Sequence, residues 1–134
     1  MKKILVLLAA VLGIALLAGC GSSSATGAGV QTVDPQTFLS TAAQSGVVTV
    51  DVRTPSEYAA GHLQGAINID VEDPSFDAQI ARLDKNATYT VYCHSGRRST
   101  LATDAMAKAG FTHVFNLSGG FQDLASAGGQ VVTS

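Results

Sequence analysis

A chain of 134 residues has room for one modest globular domain and excludes two. Its 8 Lys and Arg against 10 Asp and Glu give a net charge of -2, so there is no basic surplus with which to bind nucleic acid. At 46% hydrophobic and 13% charged, it is also too apolar for a disordered chain.

The chain opens with Met1-Lys2-Lys3 and then an uncharged apolar run from Ile4 to Leu17, the anatomy of an export signal. The run is shorter than the about 20 residues that a membrane-spanning helix needs. It ends in Leu17-Ala18-Gly19-Cys20, which resembles the lipobox of bacterial lipoproteins. That resemblance implies cleavage of residues 1–19 and a diacylglyceryl thioether on Cys20; the alternative is a plain export signal in which Cys20 is incidental. Two acyl chains on one residue suffice for stable anchoring. The expectation is an exported protein, lipid-anchored to the bacterial cell envelope and, in a Gram-negative cell, on the periplasmic face of the outer membrane. Residues 20–29 are rich in Gly, Ser, Ala and Thr, with no large apolar side chain, and are expected to be a flexible tether. The folded domain is expected over 30–134.

In that domain Asp34-Pro35 caps a helix carrying Phe38, Leu39, Ala42 and Ala43, stopped at Ser45-Gly46. Val47 to Val52 is a nearly continuous β-branched run, as in a strand buried on both faces of a parallel sheet. A short helix over Pro55–Ala60 is closed by Gly61. The pattern then predicts a strand over Ala66–Ile69, a helix over Pro74–Leu83, a strand over Tyr89–Tyr92 and a helix over Ser99–Ala109. A strand over Val114–Leu117 and a final helical patch after Gly119-Gly120 follow. Alternating strands and helices argue for an α/β fold with a mainly parallel sheet, whose ligand crevice lies at the carboxyl ends of the strands.

Cys93 falls at such an end. If Cys20 carries lipid, Cys93 is the one free thiol in a chain sent to an oxidising compartment, either buried and inert or kept for chemistry. The following His94-Ser95-Gly96-Arg97-Arg98-Ser99 favours an anion. Backbone N–H groups curl over a helix N-terminus, Gly96 relieves the tight curl, and two arginines add charge. A thiol there is shifted toward thiolate.

Cys93 to Ser99 resembles the C-x-x-G-x-R-[S/A] loop of rhodaneses. Asp51-Val52-Arg53-Thr54-Pro55-Ser56-Glu57-Tyr58-Ala59-Ala60-Gly61-His62-Leu63-Gln64-Gly65-Ala66-Ile67-Asn68 resembles their D-V-R-x-x-x-E-[YF]-x-x-G-H-[IL]-x-G-A-x-[NH] segment. Ala109-Gly110-Phe111 through Gly119-Gly120 is similar to a third family stretch, with Leu124 where many members carry Trp. The resemblance implies a three-layer α/β fold, a central five-stranded parallel sheet flanked by helices. It also implies a thiosulfate sulfurtransferase in which Cys93 takes a sulfane sulfur as a persulfide and passes it to cyanide or a thiol, with no metal and no cofactor. The loop from His94 to Ser99 would bind the donor and the persulfide; Arg98 would hold the loop and the anion, and Arg97 would present charge at the mouth. Asp51, Arg53, Glu57 and His62 read as structural supports, with Asp51 and Arg53 pinning a loop by an ion pair, while His94 adjoins the nucleophile. The expected partners are a small anionic sulfur donor, a thiophilic acceptor and the membrane, with no nucleic acid.

Two rivals stand beside this reading. One is a non-enzymatic carrier or sensor of sulfane sulfur, or a partner-binding module. The other is phosphatase or arsenate chemistry, as in the rhodanese-like cell-cycle phosphatases. Their loop, C-x-x-x-x-x-R, puts arginine where this chain has Ser99.

Overall fold

The computed structural model describes residues 29–134. The expected export signal, Cys20 and all but residue 29 of the expected tether over 20–29 lie outside the described residues.

Five parallel strands form the sheet: β1 (Val30–Val33), β2 (Val48–Asp51), β4 (Ile67–Asn68), β5 (Thr88–Tyr92) and β6 (His113–Leu117). Their spatial order is β1-β6-β5-β2-β4, which puts β5 at the centre. Parallel neighbours cannot be joined by a tight hairpin, so helices make the crossovers. These are α1 (Pro35–Ala42), α2 (Pro55–Ala60), α3 (Phe76–Ile80), α4 (Arg97–Lys108) and α5 (Phe121–Ser126).

The two-residue period of β5 sorts its side chains between the helical layers. Tyr89, Val91 and Cys93 enter the cluster formed with Phe76 and Ile80 of α3 and with Ala102 and Met106 of α4. Tyr92 enters the other, with Phe38 of α1 and Phe121 and Leu124 of α5. Leu124 is fully buried and helps to close this layer. Parity therefore decides that Cys93 turns toward α4 and Tyr92 away from it.

Several boundaries differ from the sequence reading. Helix α4 starts at Arg97, not Ser99, because Gly96 adopts a left-handed conformation (φ 100°) that turns the chain straight from loop into helix. Helix α3 covers only Phe76–Ile80 of the expected Pro74–Leu83. There the Asp73 carboxylate accepts from both the N–H and the hydroxyl of Ser75, at 2.7 Å each, and holds Pro74-Ser75 in a turn. Strand β1, which the sequence reading did not mark, forms against β6 and buries Val30. A further unmarked pair, β3 (His62–Leu63) antiparallel to β7 (Val131–Val132), fastens the carboxyl-terminal segment beside α2.

Candidate active site

Cys93 leaves the central strand at its carboxyl end with its side chain directed beneath the start of α4. Its sulfur accepts a hydrogen bond from the Gly96 N–H at 3.0 Å. Burial is the largest influence on this thiol and pushes its pKa up, but the Ser99 hydroxyl and the Ser99, Gly96 and Ser95 amides together outweigh it. The thiol therefore lies below its ordinary value, the condition for a reactive thiolate. The Ser99 hydroxyl also lies 3.1 Å from the Gly96 carbonyl oxygen, so its single proton is shared between that oxygen and the sulfur. Cys93 itself is fully buried.

The loop is held from behind by the turn that opens α5. The Phe121 N–H donates to the Cys93 carbonyl at 3.0 Å, and Gly120 packs against the His94 carbonyl so closely that no side chain fits between them. A Cβ on Gly96 would stand 3.1 Å from the Gly119 carbonyl oxygen. The double glycine thus serves the cysteine loop through backbone-to-backbone contact.

Beside the loop, β2 ends in Asp51, opposite Tyr92 of β5. Asp51 accepts from the Arg53 N–H, from Nε at 3.0 and 3.1 Å, from Nη2 at 2.7 Å and from the Tyr92 hydroxyl at 2.8 Å. Both charges are buried, with Asp51 0% and Arg53 3% exposed. Arg53 Nη2 also donates to the Gly61 carbonyl at 2.6 Å, tying the end of α2 to the strand. Burial pulls the guanidinium pKa down, but the Asp51 hydrogen bond and charge leave it above its ordinary value. Burial, then the Asp51 charge, pushes the Tyr92 phenol well up, so it stays a donor. Asp51 and Arg53 thus join the end of β2 to the end of α2 through a buried ion pair.

Glu57 and Arg98 form a second pair across the loop, Nη1–Oε2 2.7 Å and Nη2–Oε1 2.9 Å. Hydrogen bonding from Arg98 is the main reason that the Glu57 pKa falls to about 2. Glu57 also closes the capping box of α2, accepting from the Thr54 N–H at 3.1 Å. Arg98 was expected to hold both loop and anion; here each of its terminal nitrogens donates to Glu57, which ties α4 to α2. Arg97 is exposed and makes no ion pair among the described residues. His94 and Ser95 are exposed at the rim. His62 is 6% exposed, stacked on Tyr58 at 3.7 Å, with Nδ1 2.8 Å from the Tyr58 carbonyl oxygen, a structural place.

Sequence reasoning missed four contributors. Tyr92 was expected only as the end of a strand, yet its hydroxyl donates to Asp51 and accepts the Leu63 N–H at 2.9 Å. Phe121 lays its ring 4.3 Å from the Arg53 guanidinium carbon. Asn68 donates to the carbonyls of Asp51 at 3.0 Å and Arg53 at 2.9 Å, and Gly120 backs the loop. Asn68 and Gly120 occupy matched motif positions, so a signal for them existed; Tyr92 and Phe121 carried none. A cavity of about 290 Å³ opens between Arg53, Gly61, His94 and Phe121. Among the described residues no cluster of His, Cys, Asp or Glu is placed to hold a metal ion.

Comparison with known proteins agrees with this geometry. The family model described as Rhodanese-like domain matches residues 34–127. The thiosulfate sulfurtransferase PspE of Escherichia coli is 43% identical over 76 residues, covering 57% of this chain and 72% of PspE. The thiosulfate sulfurtransferase GlpE of Pseudomonas entomophila is 36% identical over 90 residues, covering 67% of this chain and 80% of GlpE. Among solved structures, a rhodanese with anions from E. coli is 38% identical with a TM-score of 0.55, covering 66% of this chain and 99% of that one. The rhodanese-like domain of the Anabaena Alr3790 protein is 26% identical with a TM-score of 0.66, covering 77% of this chain and 79% of that one. With the family model matched over most of the described chain, and relatives and solved structures alike in sequence and in fold, the chain belongs to the rhodanese family.

Proposed function

We propose that this protein is a sulfurtransferase that carries a sulfane sulfur from thiosulfate, through a persulfide on Cys93, to cyanide or a thiol. The observation that carries the reading is the Cys93 sulfur, with its pKa lowered, accepting the Gly96 N–H at 3.0 Å at the N-terminus of α4. In the first step the thiolate attacks the outer sulfur of thiosulfate. A Cys93 S–S bond forms, the bond to the sulfite sulfur breaks, and its electron pair leaves on sulfite. In the second step cyanide attacks the outer persulfide sulfur and departs as thiocyanate, returning the pair to Cys93. The inward amides stabilise the sulfur anion in both states, as an oxyanion hole does. This scheme draws only on the chain's own residues. Two relatives are named thiosulfate sulfurtransferases, which supports the choice of donor.

The same reading places the domain outside the cytoplasm on a lipid at Cys20; incorporation of a palmitate analogue that is lost in Cys20→Ala tests that part. The catalytic part is tested by the intact mass before and after thiosulfate, followed by thiocyanate formation on adding cyanide. The expected result is one added sulfur and repeated turnover, both absent in Cys93→Ser. One added sulfur without turnover assigns the carrier or sensor role instead. No added sulfur on a reactive Cys93 refutes the sulfur chemistry.

A further inference from the structure

The Gly96 carbonyl has more donors than it can hold. Its oxygen lies 2.8 Å from the Thr100 hydroxyl, 3.2 Å from the Thr100 N–H and 3.1 Å from the Ser99 hydroxyl. A carbonyl oxygen offers two lone pairs, so one of the three donors is surplus. The surplus donor is the one with a second place to go. The Thr100 N–H is fixed in the backbone ladder of α4, and the Thr100 hydroxyl makes the shortest of the three contacts. The Ser99 hydroxyl also serves the Cys93 sulfur: against the burial that pushes that thiol up, it is the strongest influence pulling it down.

The Thr100 hydroxyl is itself aimed. Asn116 of β6, 4% exposed, lies on the strand face turned toward α4, as Val114 does, and its Nδ2 donates to Thr100 Oγ1 at 3.3 Å. With a donor on that oxygen, the Thr100 proton has to point elsewhere, and the acceptor at hand is the Gly96 carbonyl. The amide keeps this orientation although its Oδ1 finds no partner among the described residues, a cost that buried groups normally avoid. A threonine hydroxyl that bonds back to the preceding turn is ordinary in a helix, as Thr103 does to the Thr100 carbonyl at 3.2 Å. Thr100 differs in being held from a second element and in sharing its acceptor with a group beside the nucleophile.

We propose that Thr100, oriented by Asn116, is a positioning residue for the nucleophile: its hydroxyl fills the Gly96 carbonyl and so frees the Ser99 proton for the Cys93 sulfur. The inference deepens the sulfurtransferase reading and rests on it. When the thiolate forms, or returns as the persulfide gives up its sulfur, the Ser99 hydroxyl turns onto it. The Gly96 carbonyl is left satisfied, because the two Thr100 donors occupy both lone pairs. No proton leaves Ser99 in this turn. Of the charged groups, Arg98 of α4 interacts with the thiolate and is held by Glu57 of α2, with Glu72 3.9 Å away. Asp51 and Arg53 at the end of β2 are closed on each other, and His94 and Arg97 are exposed at the rim, so none of these changes partner.

The test is the pH dependence of Cys93 alkylation by iodoacetamide in the full chain, followed by mass on the Cys93 peptide. Complete loss of a hydrogen bond to a charged group moves such a midpoint by about 1–2 pH units, so partial diversion of the Ser99 proton in Thr100→Val raises it by about half a unit or more. Thiosulfate uptake at a pH below the midpoint slows by about threefold or more in the same variant. Thr100→Ser, which keeps the hydroxyl, restores the wild-type midpoint. In a Ser99→Ala background there is no proton to divert, and Thr100→Val moves the midpoint no further. Thr100 is exposed, so these variants leave the core undisturbed and carry the test. Asn116→Leu, shown to be folded by circular dichroism, raises the midpoint on its own and adds nothing to Thr100→Val. A wild-type midpoint in Thr100→Val, a raised one in Thr100→Ser, or the same rise with and without the Ser99 hydroxyl overturns the proposal. Additive rises for Asn116→Leu and Thr100→Val overturn the place given to Asn116. The midpoints are read whether or not sulfur is transferred, so a wild type that takes up no sulfur refutes the sulfurtransferase reading alone.

Discussion

Gly120→Ala tests whether the double glycine shapes the cysteine loop. A Cβ at this position overlaps the His94 carbonyl oxygen and would stand 2.6 Å from the His94 carbonyl carbon and 3.1 Å from the Ser95 Cα. All three atoms are backbone, so no flexible side-chain tip can yield. Restoring an ordinary contact of 3.4 Å to the carbonyl carbon alone separates loop and α5 by about 0.8 Å. That separation stretches the bond from the Phe121 N–H to the Cys93 carbonyl from 3.0 Å to nearly 4 Å, beyond hydrogen-bond range. Overpacking at about 1–3 kcal/mol and a lost hydrogen bond at about 0.5–1.5 kcal/mol sum to about 2–4 kcal/mol. For a domain of this size that lowers Tm by about 10 °C or more. A displacement approaching 1 Å at the nucleophile costs about 100-fold in kcat/KM. The control is Gly128→Ala, where φ is 102° but nothing lies within 4 Å of the added Cβ. It suffers the backbone strain of a left-handed alanine, about 1 kcal/mol, without touching the loop. Thermal unfolding and thiocyanate formation are measured on both variants. Equal losses of activity in the two, or wild-type kcat/KM in Gly120→Ala, would falsify the argument.

Tyr92→Phe leaves the buried Leu63 N–H without its acceptor and removes one donor from Asp51, so a loss of about 1–3 kcal/mol is expected in denaturant unfolding, with the Cys93 alkylation profile unchanged. The Glu57 pKa, depressed to about 2 from 4.5, contributes stability above the unfolded value that disappears as pH falls from about 4.5 toward 2. Because the Glu57 side chain is 32% exposed, solvent screening reduces this to about 1 kcal/mol. Glu57→Gln should therefore be less stable than wild type at pH 7 and should converge with it near pH 2; a constant gap across that window would contradict the linkage. Ser99→Ala removes the hydroxyl that helps lower the Cys93 pKa, so the pH midpoint of iodoacetamide alkylation should move up. Its stability should barely change, since the Gly96 carbonyl still accepts from the Thr100 N–H at 3.2 Å and the Thr100 hydroxyl at 2.8 Å.

How much of this was legible in the sequence follows from the range of the forces involved. Helix α1 was readable because Asp34 accepts the Thr37 N–H at 2.7 Å, a cap that spans three residues. The burial of β2 was readable from its β-branched run, and the place of Cys93 from the strand-to-helix turn. What local pattern could not carry was pairing between distant segments. Strand β1 acquires its identity only from β6, some 80 residues away, and β3 from β7, with two residues in each. The start of α4 was misplaced because no local rule favours arginines in a first turn, at the positive end of the helix dipole. Two cations sit there because Arg98 is held by Glu57 from another helix and Arg97 is in water. Phe121 beneath Arg53 is likewise a tertiary contact that no periodicity announces.

The position of Arg98 also bears on which anion the loop is built for. A cradle for a tetrahedral dianion needs a guanidinium free to grip two oxygens, the bidentate use to which arginine is suited. Here both terminal nitrogens of Arg98 are engaged by Glu57, at 2.7 and 2.9 Å, and the loop position six after the cysteine is Ser99, buried and too short to substitute. Releasing Arg98 would leave the Glu57 carboxylate without its partner beside the incoming dianion, so the exchange replaces one ion pair with another and adds a repulsion. The Gly96 amide bonds the sulfur, and the Ser95 and Ser99 amides and the Ser99 hydroxyl help to lower its pKa, donors that suit a single charge at one atom. That set matches a thiolate or a persulfide, whose charge stays on sulfur, better than a phosphoryl group with three oxygens to satisfy. Freeing the arginine by Glu57→Gln should therefore not create phosphatase activity toward a phosphotyrosine analogue, because the loop would still lack room and amides for the remaining oxygens.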